Sequence, residues 1–278
     1  MLLFKLFNFY LITLLSYFSI AGYGAKLVKT FEKSIPKSVS ESFFYGLILV
    51  LPICVLKISF FNNNIEITIL IFLIGLFFFL HNFKFKEFYL DTIILFAIFI
   101  GLLISKTHED FYYYHLQFIR EINNDQFVLG LAVADIKYIY GSSVAYLQSM
   151  YFFNEDYKYI HVPIFLFFSS CLIFFIFQAL DKKNTNIEIF FSVFISILLL
   201  IKFKRVSEFG YDYIYHFIFF FIFFKFFIQS GFGSNKNNFL IINCFKTISA
   251  ISPLCAPTSI YKFNLFGKFF FNTSKFFF

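Results

Sequence analysis

Hydrophobic and polar positions in this chain are arranged in long blocks, without the short period of a soluble helix or strand. Seven apolar runs are separated by polar loops. A helix that crosses a bilayer needs an apolar stretch of roughly 17–25 residues. The pattern therefore predicts about seven transmembrane spans, over residues 6–23, 43–61, 65–80, 89–105, 162–180, 187–201 and 213–228.

One long polar segment, residues 106–161, interrupts this pattern between the fourth and fifth runs. It holds 7 of the 16 acidic residues of the chain but only 4 basic ones. The other loops are short, so this segment is where function is first sought. The spans and this loop belong to one predicted transmembrane domain, residues 1–230. Residues 231–278 show no span and no amphipathic period, and they are expected to form an irregular tail, native or truncated.

Composition supports the membrane interpretation. The chain is 60% hydrophobic and 14% charged, whereas soluble domains are about 45–50% apolar and about 25% charged. Water could not cover so much apolar surface, and only helices or closed barrels satisfy their backbone in lipid. We therefore predict an all-α fold, a polytopic transmembrane helical bundle.

The net charge of +7 does not indicate a nucleic-acid partner. Lysines and arginines are scattered over short loops and the tail, with no basic stripe that contains interleaved aromatic residues. The four cysteines have no C-x-x-C spacing, so neither a disulfide framework nor a cysteine metal site is expected. The partners implied are membrane lipids.

Basic loops predict the orientation. The loops after the first, third and fifth runs carry four, two and two lysines, and the loop after the second run carries none. Because basic loops stay on the cytoplasmic side, the N-terminus and loop 106–161 are predicted to lie outside. Lys202, Lys204 and Arg205 disagree with the rule, since this orientation places them outside as well.

The first run allows a second interpretation, a cleaved signal peptide, because Gly22-Tyr23-Gly24 forms a small-x-small site. Cleavage there would send the following lysine-rich loop across the membrane, against the charge rule. We therefore expect a retained span.

Residues 107–123 of the long loop are predicted to form a helix lying on the membrane surface. An apolar face recurs at helical spacing, and polar residues gather on the opposite face. The apolar face contains Phe111, His115, Phe118, Ile119 and Ile122, and the polar face contains Asp110, Tyr113, Tyr114, Gln117 and Glu121.

Asp110 directly follows a predicted span and has Glu109 beside it. A carboxylate there could take a proton from an acceptor hydroxyl, or help to hold a divalent cation against a phosphate. The structural alternative is that Thr107 and Asp110 form a capping box at the helix start. His115 lies among aromatic residues, so packing is its alternative role.

The loop 202–212 is the second candidate for a site. Its three cations would suit the phosphate of a lipid-linked substrate if they face the same side as Asp110. Alternatively, these cations only mark the end of a span, because the preference of basic loops for the cytoplasmic side is a tendency that single loops can break.

Several motifs of these loops are similar to those of known membrane enzymes. The stretch Glu109-Asp110-Phe111-Tyr112-Tyr113 places an acid after an early span, at the start of an aromatic-rich helix. This arrangement resembles the first external loop of the GT-C glycosyltransferases, which use polyprenyl-phosphate sugars. The likeness is closer to a related family of uncharacterised bacterial membrane proteins. The motifs in this sequence are Glu109-Asp110-Phe111-Tyr112-Tyr113, Tyr114-His115-Leu116-Gln117, Gly130-Leu131, Ser142-Ser143 and the stretch from Arg205 to Asp212.

The resemblance implies an integral membrane glycosyltransferase that moves a sugar from a polyprenyl phosphate to an envelope glycan or lipid. It implies the inner (plasma) membrane of a bacterium, with loop 106–161 on the external side. Asp110 and Glu109 would be catalytic, and a divalent cation is the one cofactor suggested. The residues expected to bind substrate are Tyr114, His115, Gln117, Lys202, Lys204, Arg205 and Glu208.

Two other functions stay open. GT-C enzymes usually have more spans, so the chain could be a non-catalytic envelope assembly protein or an inactive fragment, in which Asp110 only caps its helix. A transporter is the other alternative, but it would favour broken spans in symmetric halves, and these runs show little of either.

Overall fold

The computed structural model describes residues 2–32, 36, 38–61, 64–99, 103, 111–124, 143–152, 157–206 and 214–229. Within these ranges the chain is almost entirely helical and contains no strand. The α-helices are α1 (Leu2–Glu32), α2 (Val39–Phe61), α3 (Ile65–Asn82), α4 (Phe85–Ile98), α5 (Leu116–Asn124), α6 (Ser143–Ser149), α7 (Val162–Leu180), α8 (Asn186–Val206) and α9 (Ile214–Phe223). A π-helical turn, Phe111–His115, leads into α5, a 3-10 turn, Tyr157–His161, leads into α7, and a second π-helical turn, Phe224–Gln229, continues α9.

The helices confirm the membrane class of the chain. Among the described residues, four stretches are long and apolar enough to cross a bilayer: Leu6–Phe31, Val39–Phe61, Ile65–Asn82 and Tyr159–Leu180. Three shorter apolar helices, Phe88–Ile98, Asn186–Ile201 and Ile214–Gln229, occupy the other predicted positions. The all-α bundle is thus confirmed, and four of the seven predicted spans meet the length that a span requires.

Helix α7 is the centre of the bundle. It contacts α1, α2, α4, α6, α8 and α9. The stretch that contains it is largely buried inside the protein, whereas most of α3 is not. Phenylalanines fill its surroundings, and Phe165, Phe168 and Phe174 are fully buried. By contrast, α3 exposes large apolar side chains such as Phe77 and Leu80, as a lipid-facing helix does.

Glycines set the closest helix crossings. A Cβ added at Gly24 of α1 would lie 2.6 Å from the backbone nitrogen of Gly46 in α2 and closer still to the carbonyl oxygen of Ser42. A Cβ added at Gly22 would lie 2.6 Å from the backbone nitrogen of Phe79 in α3. Small residues allow this backbone approach between membrane helices. The Gly22–Gly24 motif, weighed above as a cleavage site, lies within the continuous helix α1 and serves packing.

The short turn between α2 and α3 lies where the sequence predicts it, between residues 61 and 65. Helix α2 ends at Phe61, and Asn64 caps α3, with its side-chain oxygen accepting the backbone N–H groups of Glu66 at 2.8 Å and Ile67 at 3.3 Å. This is the residue type that helix starts prefer. The predicted tail, residues 231–278, lies outside the described residues.

Candidate functional site

The helix predicted in the long loop is present and amphipathic. It comprises the π-helical turn Phe111–His115 and α5. All five residues of the predicted apolar face are buried, from 0% exposed at Phe111 and Ile119 to 8% at Phe118. Helix α5 packs against α6, and the Phe118 ring meets the Tyr146 ring edge-on with centroids 6.3 Å apart. The apolar face is confirmed, but protein covers it where lipid was expected.

The opposite face of this helix is open. Tyr113 is 64% exposed and Gln117 is exposed too, so both can meet a ligand from outside the bundle. His115, by contrast, is 1% exposed and belongs to the buried face. The structure thus places His115 and Gln117, both of the Tyr114-His115-Leu116-Gln117 motif, on opposite faces of the helix.

The other seven predicted site residues have side chains that lie outside the described part of the structure. Glu109, Asp110 and Glu208 fall outside the described residues. Lys202, Lys204 and Arg205 lie in the last turns of α8, and Tyr114 lies in the π-helical turn, with their side chains outside the description. That Asp110 meets these cations across a cavity stays a prediction.

Part of the long loop enters the bundle. Every residue from 144 to 152 is buried. The Met150 sulfur lies 2.8 Å from the Cys54 sulfur of α2, and the Tyr151 ring meets the Phe72 ring of α3 with centroids 5.6 Å apart. Cys54 lies seven residues before the end of α2, so the segment descends about 10 Å below that end, at 1.5 Å per helical residue. The signal for this in the sequence is weak, because Gln148 and Ser149 divide the segment into two short apolar runs, 144–147 and 150–153.

Polar groups of this segment are only partly satisfied, since Oε1 of Gln148 and the Tyr151 hydroxyl have no hydrogen-bond partner among the described residues. The Gln148 amide donates to the carbonyl oxygen of Ile160 at 3.2 Å, and the Ser149 hydroxyl donates to the carbonyl oxygen of Tyr146 at 2.7 Å. Burial raises the pKa of the Tyr151 hydroxyl, which lies near Ser16 of α1. Tyr151 therefore stays neutral and carries a hydroxyl into the bundle.

A second polar region lies where α1, α2 and α4 meet. Asp91 of α4 is 0% exposed, and its Oδ1 accepts a hydrogen bond of 2.8 Å from the Tyr17 hydroxyl of α1. Its Oδ2 has no hydrogen-bond partner among the described residues. The backbone N–H of Ser40, in the first turn of α2, lies near the same carboxylate.

A buried ion pair joins α2 to the last described helix. The Lys225 ammonium contacts the Glu41 carboxylate, and the two side chains are 11% and 8% exposed. Lys225 also donates to the side-chain oxygen of Gln229 at 2.8 Å and lies 5.7 Å from the Phe174 ring centroid. The start of α2 and the end of the last described apolar helix therefore lie on the same side of the bundle, as the predicted alternation of spans requires.

Asp91, Glu41 and Lys225 are not among the predicted site residues, although the sequence contains a signal for them. Asp91, Glu41 and Lys225 each stand at or inside an apolar run, and ionisable residues at membrane depth usually pair or line a functional site. Lys57, in the last turns of α2, is likewise 2% exposed, so its side chain lies within the protein and does not extend along lipid.

No group of three His, Cys, Asp or Glu side chains suited to a metal ion occurs among the described residues. The divalent cation expected at Glu109 and Asp110 stays a prediction, because both residues are outside that part of the chain. Comparison of the sequence and fold with protein-family models, curated proteins and solved structures gave no match.

Proposed function

We propose that this protein is a membrane-embedded glycosyltransferase that moves a sugar from a polyprenyl phosphate to an envelope glycan or lipid acceptor. The observation that carries the proposal is the helix of the long loop. Its apolar face is anchored in the protein while Tyr113 and Gln117 face outward. Asp110 directly precedes Phe111, the first residue of this anchored helix.

An anchored helix start suits a catalytic acid. Phe111 is fully buried, so the chain is fixed one residue after Asp110, and a fixed backbone limits where the carboxylate can reach. Positioning of this kind contributes much of the rate in transfer reactions. The exposed Tyr113 and Gln117 would supply stacking and hydrogen bonds to a sugar beside it.

The proposed reaction breaks one bond and forms another. The acceptor oxygen bonds to the anomeric carbon of the sugar, and the bond from that carbon to the phosphate oxygen breaks. Asp110 takes the acceptor's hydroxyl proton as general base, and the polyprenyl phosphate leaves. Lys202, Lys204 and Arg205, at the end of α8, would hold the leaving phosphate by charge-assisted hydrogen bonds. In the alternative role for Asp110, it and Glu109 would together hold a divalent cation, which would neutralise phosphate charge.

This proposal places loop 106–161 outside a bacterial inner membrane and counts all seven apolar helices as spans. The three shorter helices support that count, because they occupy the predicted positions. The Glu41–Lys225 ion pair supports the alternation, since it brings the start of the second helix to the end of the last one.

The test is Asp110→Asn in cells that lack the native copy, with surface glycans profiled and protein abundance measured by blot. We expect lost or shortened glycans at normal abundance. Asp125→Asn, an acid at the other end of the same predicted helix, is the matched control and should leave the glycans unchanged. Unchanged glycans in Asp110→Asn at normal abundance would exclude Asp110 as catalytic base and favour an envelope assembly protein. Reduced abundance alone would assign Asp110 to helix capping.

A further inference from the structure

Asp91 is a fully buried carboxylate in an apolar bundle, and the glycosyltransferase proposal does not use it. It lies on α4, which packs against α1, α2 and α7. Its side chain is 0% exposed. An ionised carboxylate at such a site is costly unless a cation or several donors compensate the charge.

The described surroundings do not provide that compensation. From α1, the Tyr17 hydroxyl donates one hydrogen bond to Oδ1. From α2, the backbone N–H of Ser40 lies near the carboxylate. Oδ2 has no hydrogen-bond partner in the described part of the chain.

The charged groups of neighbouring helices are occupied elsewhere. Glu41 of α2 is the nearest acid in sequence to Ser40, and it is paired with Lys225. Tyr10 of α1 donates to the carbonyl oxygen of Thr92 at 3.3 Å. Helix α7 contains no acidic or basic residue, and its one titratable group, Cys171, contacts the Phe217 carbonyl oxygen at 3.7 Å. Of the lysines of α1, Lys26 lies 5.8 Å from the Phe78 ring centroid and Lys29 donates to the side-chain oxygen of Asn82 at 3.3 Å, so neither is paired with Asp91.

We propose that Asp91 is a reversible proton-binding site inside the bundle, occupied by a proton while α4 is packed against α1 and α2. A proton neutralises the carboxylate without a counter-ion and leaves Oδ1 free to accept from Tyr17. Loss of the proton leaves a buried charge, which is relieved only when α4 moves and water or a cation reaches Oδ2. Protonation of Asp91 thus controls the packing of α4. Buried acids at membrane depth serve proton-dependent steps elsewhere.

Infrared difference spectroscopy of the full chain in lipid nanodiscs, titrated with pH, tests this proposal. We expect a carbonyl band of a protonated carboxylic acid at neutral pH that is lost on alkaline titration. The band should be absent in Asp91→Asn and shifted in Tyr17→Phe, which removes the hydrogen bond to Oδ1. Isotope-labelled aspartate in the wild-type chain assigns the band to an aspartate even if Asp91→Asn fails to fold.

The pH dependence of unfolding is a second readout. Above about pH 4, the ordinary range for an aspartate, an unfolded chain has released this proton and the folded chain retains it. Stability should then fall as pH rises, with the folding equilibrium constant decreasing by up to about tenfold per pH unit. Asp91→Asn should remove this slope.

Three results would overturn the proposal. One is the absence of an aspartic-acid band at neutral pH in the wild type. Another is the same band and titration in a folded Asp91→Asn variant. The third is an ionised Asp91 whose carboxylate bands respond to sodium or potassium concentration, which would make Oδ2 a cation ligand. Activity of the glycosyltransferase is not part of any readout, so the two proposals fail independently.

Discussion

The α1–α2 crossing gives the sharpest test of the fold, through Gly24→Ala. The added methyl carbon would lie 2.6 Å from the Gly46 nitrogen and closer to the Ser42 carbonyl oxygen. Ordinary carbon contacts begin at 3.4 Å, and both obstructing groups are backbone, which cannot rotate away. The Gly46 nitrogen alone requires a displacement of 0.8 Å, the difference between 3.4 Å and 2.6 Å, and the closer carbonyl oxygen of Ser42 requires a larger one.

The cost of this separation can be worked from the contacts that it disturbs. Forcing an extra methyl group into a packed interface costs about 1–3 kcal/mol. A gap of 0.5–1 Å also removes about a quarter to a half of the dispersion energy of neighbouring contacts, and here those include the stacked rings of Tyr17 and Phe43. We expect the upper end of the range, about 3 kcal/mol.

The assay is reversible unfolding of the purified protein in mixed micelles, with the free energy of unfolding compared with wild type. Val193→Ile, at a position that is 43% exposed on α8, adds one carbon to the lipid-facing surface and should change stability by less than about 0.5 kcal/mol. Gly22→Ala disturbs the α1–α3 contact on the opposite side of the helix, because its added Cβ would lie 2.6 Å from the Phe79 nitrogen, and it should lower stability as well. Stability of Gly24→Ala equal to that of the control would refute the close crossing.

Two further predictions concern the ion pair and the loop helix. Glu41→Gln leaves the buried Lys225 ammonium without its carboxylate and should cost about 3–5 kcal/mol in the same unfolding assay; a Glu41→Gln/Lys225→Met double variant should lose less. Equal losses of unfolding free energy in the single and double variants would show that the Glu41–Lys225 pair does not stabilise the fold. Ile119→Ala, at a fully buried position, should cost about 2–5 kcal/mol and speed hydrogen exchange in α5, whereas Gln117→Ala on the exposed face should not. Identical exchange in both variants would contradict the anchored face.

Features that depend on one helix alone, such as its bounds and its buried face, could be predicted from the sequence. The predicted span 162–180 coincides with α7, Val162–Leu180, because an apolar run of that length has few alternatives in lipid. The amphipathic period of residues 111–122 likewise identified the buried face of the loop helix, since burial follows the rotation of one helix about its own axis.

Properties of helix pairs were not predictable in the same way. That Asp91 meets Tyr17, 74 positions away, depends on how α1 and α4 rotate and slide against each other, which no local period encodes. The Gly22–Gly24 motif was ambiguous for the same reason, because small residues suit a cleavage site and a close crossing alike. The candidate catalytic residues Glu109 and Asp110 stay predictions on sequence grounds.

The polar contacts of this bundle help to determine which helices are neighbours, and this bears on the role of Asp91. In lipid, apolar side chains gain little by moving from hydrocarbon to a neighbouring helix, so close packing and polar contacts decide which helices are neighbours. Gly24 and Gly46 specify the α1–α2 contact, and Glu41 with Lys225 specifies where the last helix lies. Asp91 with Tyr17 specifies the α1–α4 contact, but an asparagine in place of Asp91 could accept the same hydrogen bond without an acid. A purely structural role therefore does not explain the carboxylic acid, whereas a site that binds and releases a proton does.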